Sequence, residues 1–418
     1  MLNSNLSQYL PGQSFMLIRL CYAFMIALLP YSLNGQERAE DTIRSLTMEE
    51  AVMLALDNNI NIKNAKLESQ KAAYDGVAFK LKPFQAEYHR GQINSPLIDQ
   101  SLEVYQNLGS PLQSYYTKKQ SDYSKEVKEE ELEIIKAETE KEVKRTYFKW
   151  VYLYNKKQIL QERLDVYKEL ERISEVRQTM GNSGELAEIS AQSMFHKAKR
   201  DLKKLRNQIS IIENELKTQL NTRHHILPAT DTLLLYEINQ PKSNQKDIVN
   251  NSYQELYEDK IRASEYEIKV QKAKYLPELS AGYFWQEIEN EGGFDGWMLG
   301  ISIPVSFKSQ KADVEKAKVN KVIAENNLNY QQQKHETTVK NLVHRLNSYK
   351  EDIIFYHESG LKESENILSY AQEQFLNEKI DYQKYIDLLA RAYNIKEDYL
   401  RAVKNYNQTA VQLEFYLK

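Results

Sequence analysis

The stretch "AKYLPELSAGYFWQEIENEGGFDGWMLGISIPVSF", Ala273–Phe307, interrupts a chain otherwise written in lysine, glutamate and long runs without turn residues. Small or polar residues alternate in it with aromatic and aliphatic ones, glycine recurs at 292, 293, 296 and 300, and Pro277 and Pro304 fence it. A period of two marks a strand whose faces meet different surroundings. The segment therefore reads as two strands, "ELSAGYFWQEI" (278–288) and "WMLGISIPV" (297–305). Between them lies an acidic loop, "EIENEGGFDG", with Glu287, Glu289, Glu291 and Asp295.

Elsewhere punctuation is scarce. Residues 112–180, 185–227, 305–359 and 361–418 contain neither glycine nor proline. Their apolar residues recur at threes and fours, as in Val143, Tyr147, Val151, Tyr154 and in Leu342, Leu346, Tyr349, Ile353, Tyr356. These are helices. At 1.5 Å per residue the run 112–180 would be about 100 Å long, too long for a compact globule.

The fences repeat. Pro277 follows Pro83, and Pro304 follows Pro111, at offsets of 194 and 193 residues. The chain is thus an internal duplication, each half reading helix, strand, strand, very long helix, helix. "FQAEYHRGQ" (84–92) and "SLEVYQNLG" (101–109) are the strands of the first half. The expected boundaries are a leader at 1–36, a first repeat at 42–228, a linker at 229–247 containing "INQPKSNQKD", and a second repeat at 248–418. Gly360 breaks the second long helix where the first half has no counterpart.

Composition removes several function classes. The 56 basic and 59 acidic residues, net −3, are interleaved, and a nucleic-acid surface needs a clustered positive excess. Arg19 followed by the apolar run Cys21–Leu29 and then Pro30, Ser32 and Gly35 reads as a secretory leader cut near Gly35 or Gln36, with Met16 an alternative start. Cys21 is the one cysteine, so the mature chain would be free of disulfides. The seven histidines are scattered, and the adjacent His224 and His225 have no carboxylate cluster at ligand spacing. "GNSGEL" lacks the ending of a phosphate loop and "GNSGE" is no nucleophile elbow. We expect no enzyme, cofactor or metal centre.

Two hairpins of about ten-residue strands leave open edges and cannot close a sheet alone. Strands of about 9–11 residues, tilted, cross an outer membrane, where a sheet must close with at least eight strands. Four strands per chain then require partner copies. Tyr283, Trp285 and Trp297 would sit near the ends of the apolar band, at the membrane interface. The alternative is a periplasmic coiled-coil scaffold or adaptor that never inserts.

With its opening "SLTMEEAVMLALDNNINIKNAKLESQKAA", its duplication and its paired hairpins, the chain resembles the TolC-like outer membrane efflux proteins over about residues 46–418. The resemblance implies a mainly α fold with a small β part. Three copies would form a homotrimeric, twelve-stranded outer-membrane barrel continued by a periplasmic coiled-coil barrel. It implies an exit channel of a tripartite efflux pump, with a periplasmic adaptor and an inner-membrane transporter as partners. The turns Gly181, Asn182, Ser183, Gly184 and Glu378, Lys379, Ile380, Asp381 would dock the adaptor, although Glu378 stands where glycine is usual. Matching "KYIDLLARAYN" to the family pattern places a gate residue at Asp387. Lys384 falls on the neighbouring gate position and would cancel an acidic ring there. The phrases "LPELSAGYF" and "GWMLGISIPVSF" are similar to those of heavy-metal cation efflux members that work with resistance-nodulation-division transporters. In that setting the acidic loop would face the exterior.

Overall fold

The structure is a computed structural model that describes residues 43–77, 83–92, 96–179, 185–230, 232–238, 251–289, 291–305 and 307–418. The expected leader, the turn Gly181–Gly184 and most of the linker lie outside these residues.

A short strand β1 (Ile43–Leu46) leads into helix α1 (Met48–Asn58). Thr47 and Glu50 form a reciprocal cap: the Thr47 hydroxyl accepts from the Glu50 amide at 3.2 Å, and the Glu50 carboxylate accepts from the Thr47 amide at 2.8 Å. Asn59 then starts α2 (Ile60–Val77) by accepting from the Asn61 amide, 2.8 Å away. The first hairpin, β2 (Gln85–Gly91) and β3 (Asp99–Gly109), runs into α3 (Pro111–Thr179). Pro111 sits at the first helical position, where its missing amide hydrogen costs nothing. The 69 residues of α3 give a length of about 100 Å. Helix α4 (Glu185–Leu220) and strand β4 (His225–Pro228) complete the first half.

The second half repeats the scheme with α5 (Asn251–Ala273), β5 (Glu278–Ile288), β6 (Glu291–Ser302) and α6 (Phe307–Phe355). A π turn at Tyr356–Gly360 joins α6 to α7 (Leu361–Leu376), and α8 (Tyr382–Leu417) follows. Gly360 now has a physical account. It is buried, and a Cβ there would stand 2.9 Å from the Tyr356 ring and 3.5 Å from Ile395 on α8. The missing side chain makes room for the Tyr356 ring where the widened turn inserts its extra residue.

The four hairpin strands form one antiparallel sheet in the order β2-β3-β5-β6, with β3 and β5 joining the halves. Beside it, α2 packs on α3, α3 on α5 and α5 on α6, so the helices follow the order of the strands. Farther along, α3 pairs with α4 and α7 with α8, and α8 packs on α3 and α6.

The largest core gathers where β1, α1, α3, α4 and α8 meet, around Trp150, Leu46, Val143, Val151, Leu216 and Val403. Strands β1 and β4 pair in parallel there, from Ile43 opposite His225 to Leu46 opposite Pro228. Neither was expected, because "IRSL" and "HILP" carry no alternation to read. The residues after β4 cross the bundle as a strap. Buried Asn407 holds it by accepting from the Tyr236 amide at 2.9 Å and donating to the Leu234 carbonyl at 2.7 Å. Lys144 donates to the Tyr236 hydroxyl and to Glu414, each at 2.9 Å, and pairs with Glu140 at 2.7 Å. Burial opposes the Lys144 charge, yet these acceptors push its pKa above the usual lysine range. Burial likewise opposes ionisation of Glu140 and Glu414, and their hydrogen-bonded partners still hold both carboxyls below the usual range.

Candidate functional site

The sheet carries the distinctive chemistry. Residues opposite one another on neighbouring antiparallel strands share a face. The register sets Tyr88 opposite Leu102, Leu102 opposite Trp285, Val104 opposite Tyr283, and Tyr283 opposite Trp297. Ala281 and Leu279 face Leu299 and Ile301 in the next rows. One face of all four strands is therefore aromatic and aliphatic. The other mixes Glu87, Ser101, Glu103, Asn107, Ser280 and Ser302 with Tyr105, Phe284, Phe294, Met298 and glycines.

Among the described residues, none covers the β6 part of that apolar face. Trp297 is 84% exposed, Leu299 89%, Ile301 68%, Ile303 64% and Val305 82%. Every second residue from 297 to 305 is thus a large, uncovered hydrophobe, a span of about 26 Å along an extended chain. A water-facing sheet would bury or lack such a row. On the polar face, Gly296 lies under the ring of Phe284, whose nearest carbon would be 2.8 Å from an added Cβ.

Of the expected interface aromatics, Tyr283 and Trp297 meet directly, their rings 5.5 Å apart, while Trp285 lies one row along between Leu102 and Asp295. The Tyr283 hydroxyl donates to Asp295 at 2.8 Å. The carboxylate of Asp295 thus ends the apolar face on the side of the hairpin tip. Tyr88 and Leu102, on the same face in the first hairpin, were not singled out in the sequence, because Glu87, His89 and Arg90 mask the alternation around them.

The acidic segment is not the loop it was expected to be. Strand β6 begins at Glu291, six residues before Trp297, so Glu287, Glu291 and Asp295 belong to strands and the turn closes tightly at Glu289, φ 53°. The backbone ladder needs no apolar side chains, and so the charges of "EGGFD" concealed it. Strand β6 ends at Ser302 and β2 spans Gln85–Gly91, while β3 starts two residues early at Asp99. Asp99 is fully buried and accepts from the Glu289 amide at 3.2 Å, fastening the tip of one hairpin to the other.

At the far end of the helices, the turn between α7 and α8 is a left-handed cap. Glu378 has φ 56°, the Lys379 amide donates to the Gln374 carbonyl at 2.8 Å, and the Glu378 amide to Phe375 at 3.1 Å. Asp381 caps α8 by accepting from the Lys384 amide at 2.7 Å. Ile380 packs on a core of Phe375, Tyr385, Ile386 and Leu389, in which the Phe375 and Tyr385 rings stack at 4.5 Å. Burial pushes the Tyr393 phenol up to about 12 and raises Tyr382 and Tyr385 as well, so these rings stay neutral and act by packing.

Lys384 and Asp387 are both exposed on α8. Asp387 accepts from Gln383 at 3.3 Å and lines a groove of about 460 Å³ between α3, α4 and α8, together with Lys156, Arg163, Lys197, Asp201 and Glu397. Among the described residues, no group of three His, Cys, Asp or Glu side chains is placed to hold a metal ion. No helix among them is long and apolar enough to cross a membrane.

This is the TolC-like fold: a duplicated, mainly helical chain with a small, open four-stranded sheet. Solved structures agree with it over most of their length. A membrane protein from Pseudomonas aeruginosa superposes with TM-score 0.79 at 13% identity, covering 89% of this chain and 93% of that one. CusC, described in connection with transmembrane channel formation, gives 0.77 at 16% identity, covering 92% and 95%. The Campylobacter jejuni CmeC outer membrane channel gives 0.75 at 16% identity, covering 92% and 90%. At such identities the likeness is one of fold. No protein-family model and no curated protein sequence matches the chain.

Proposed function

We propose that this chain is the outer-membrane exit channel of a tripartite efflux pump, a passive duct from the periplasm to the exterior. The observation that carries the reading is the sheet: one face uncovered and apolar, the other richer in polar residues, and both edges unpaired among the described residues. Lipid covers the first face, water fills the space behind the second, and other copies close the edges. Three chains pool their strands into a twelve-stranded barrel, and the helices continue it as a periplasmic duct. Residues 1–36 act as the export leader.

Tyr283, Trp285 and Trp297 anchor the barrel at the lipid interface. Asp387 narrows the periplasmic end, and Lys384 beside it offsets the negative charge of the ring. The turns at Gly181–Gly184 and Glu378–Asp381 receive a periplasmic adaptor. A resistance-nodulation-division transporter supplies the energy, and the hairpin resemblance points to heavy-metal cations or other small toxic compounds as cargo. The CmeC and CusC likenesses support the channel reading, since those structures are described as an outer membrane channel and in terms of transmembrane channel formation.

The test is fractionation followed by reconstitution. The duct requires a heat-resistant oligomer in the outer-membrane fraction that conducts ions in a planar bilayer. A soluble periplasmic pool without conductance would make the chain a coiled-coil scaffold instead.

A further inference from the structure

Helix α3 turns one side to β1, where the Tyr147 hydroxyl donates to the Leu46 carbonyl at 2.9 Å. Lys149, Tyr152, Lys156 and Arg163 lie about 140–200° round the helix from Tyr147, on its opposite side. Helix α8 runs beside that row. Lys404 Nζ stands 5.2 Å from the centre of the Tyr152 ring, and Glu397 pairs with Lys156 at 2.8 Å and with Arg163 at 3.2 Å.

The row is short of negative charge. One carboxylate, Glu397, serves both Lys156 and Arg163, and Asp398 is taken by Arg401. Among the described residues, Lys149 and Lys404 have no ion-pair partner. Burial, followed by the like charges of Lys149, Arg401 and Lys156, pushes the Lys404 pKa below the usual lysine range. The Arg163 Nε is buried without an acceptor. Across the adjoining groove, Lys197 and Lys204 stand against Asp201 and Asp387, so the excess is confined to the level of Lys149 to Arg163. Like charges gathered on low-dielectric walls create a field that concentrates counter-ions of the opposite sign.

The other side of α3 carries the largest core, with β1, α1 and the strap. Several copies of that layer turned inward would plug a duct, so in a channel the basic row faces the lumen.

We propose that Lys149, Lys156, Arg163 and Lys404 form an anion-binding site on the duct wall, and that the cargo consists of small compounds bearing carboxylate, phosphate or sulfonate groups. Such oxyanions supply the acceptors these donors lack, whereas free metal cations are repelled at this level. The assignment rests on the exit-channel reading above and names its cargo class.

The probe is inorganic pyrophosphate, titrated calorimetrically into the full chain in detergent. The native protein should bind it, Lys149→Gln with Lys404→Gln should weaken binding at least tenfold, and Lys149→Arg with Lys404→Arg should retain it. In a planar bilayer under a potassium chloride gradient, the glutamine variant should shift the reversal potential toward cation preference. No binding by the native protein, or equal affinity in the glutamine variant, overturns the site and leaves the channel standing. An unmoved reversal potential in conducting channels overturns the anionic cargo. Binding through these lysines without any conductance overturns the exit-channel reading and the cargo assignment with it.

Discussion

Tyr283 and Trp297 face each other across β5 and β6, their rings 5.5 Å apart and inclined at 68°, while the Tyr283 hydroxyl reaches Asp295 on the next row. The pair marks the row where the uncovered face turns from aliphatic to charged. Leu299, one row below, lies inside the apolar band. Leu299→Arg would place a cation there at a cost of about 2–4 kcal/mol per chain. We expect loss of the heat-resistant oligomer from the membrane fraction, whereas Ser302→Arg, on the polar face, should leave it in place.

The charges on α8 give an electrical prediction. On the proposed gate, replacing Asp387 and Lys384 together by alanine should raise single-channel conductance in a planar bilayer. Unchanged conductance would reduce them to solvated helix charges, worth at most about 1 kcal/mol.

Asn407 supports the strap through two backbone bonds in a fully buried position. Asn407→Leu strands the Tyr236 amide and the Leu234 carbonyl, each at a cost of about 1–3 kcal/mol. A lower denaturation midpoint and faster proteolysis beyond β4 should follow. An unaltered midpoint would mean that the strap is held elsewhere.

The cluster of Lys144, Glu140 and Glu414 predicts a pH response. The carboxyls of Glu140 and Glu414 are held below their unfolded values, so their stabilising contribution is full above the ordinary carboxylate range. It is lost as pH falls through the lowered folded values. Lys144, raised, contributes fully below the ordinary lysine value and loses this only as pH rises beyond it. The double variant Glu140→Gln with Glu414→Gln should flatten the acid limb of the melting-temperature profile, and an unchanged slope would count against the cluster.

Glu378 holds a left-handed conformation that costs a non-glycine residue about 1 kcal/mol. Glu378→Gly should relieve this, less the greater freedom of glycine in the unfolded chain, and raise stability by at most about 0.5 kcal/mol. A lower melting temperature would show that the glutamate side chain itself stabilises the turn.

Much of this architecture is written in local patterns. The hairpin at 278–302 is legible because apolar and polar residues alternate along it, and the long helices because no glycine or proline interrupts them. Strands β1 and β4 are four residues each, and their pairing depends on neighbours far away in the chain. Gly360 looks like a defect until Tyr356 and Ile395 are seen around it. The grouping of Asp387 with Arg163 and Lys197 was equally hidden, since it arises only when α3, α4 and α8 come together.

The parallel pairing of β1 with β4 has a consequence for biogenesis. Ile43 cannot complete its backbone bonds until His225 has been synthesised and delivered, so a polypeptide emerging amino end first must carry an unsatisfied strand through half its own production. Maturation is therefore a delayed ring closure, and a truncated product ending before His225 would expose a sticky edge to chaperones and proteases.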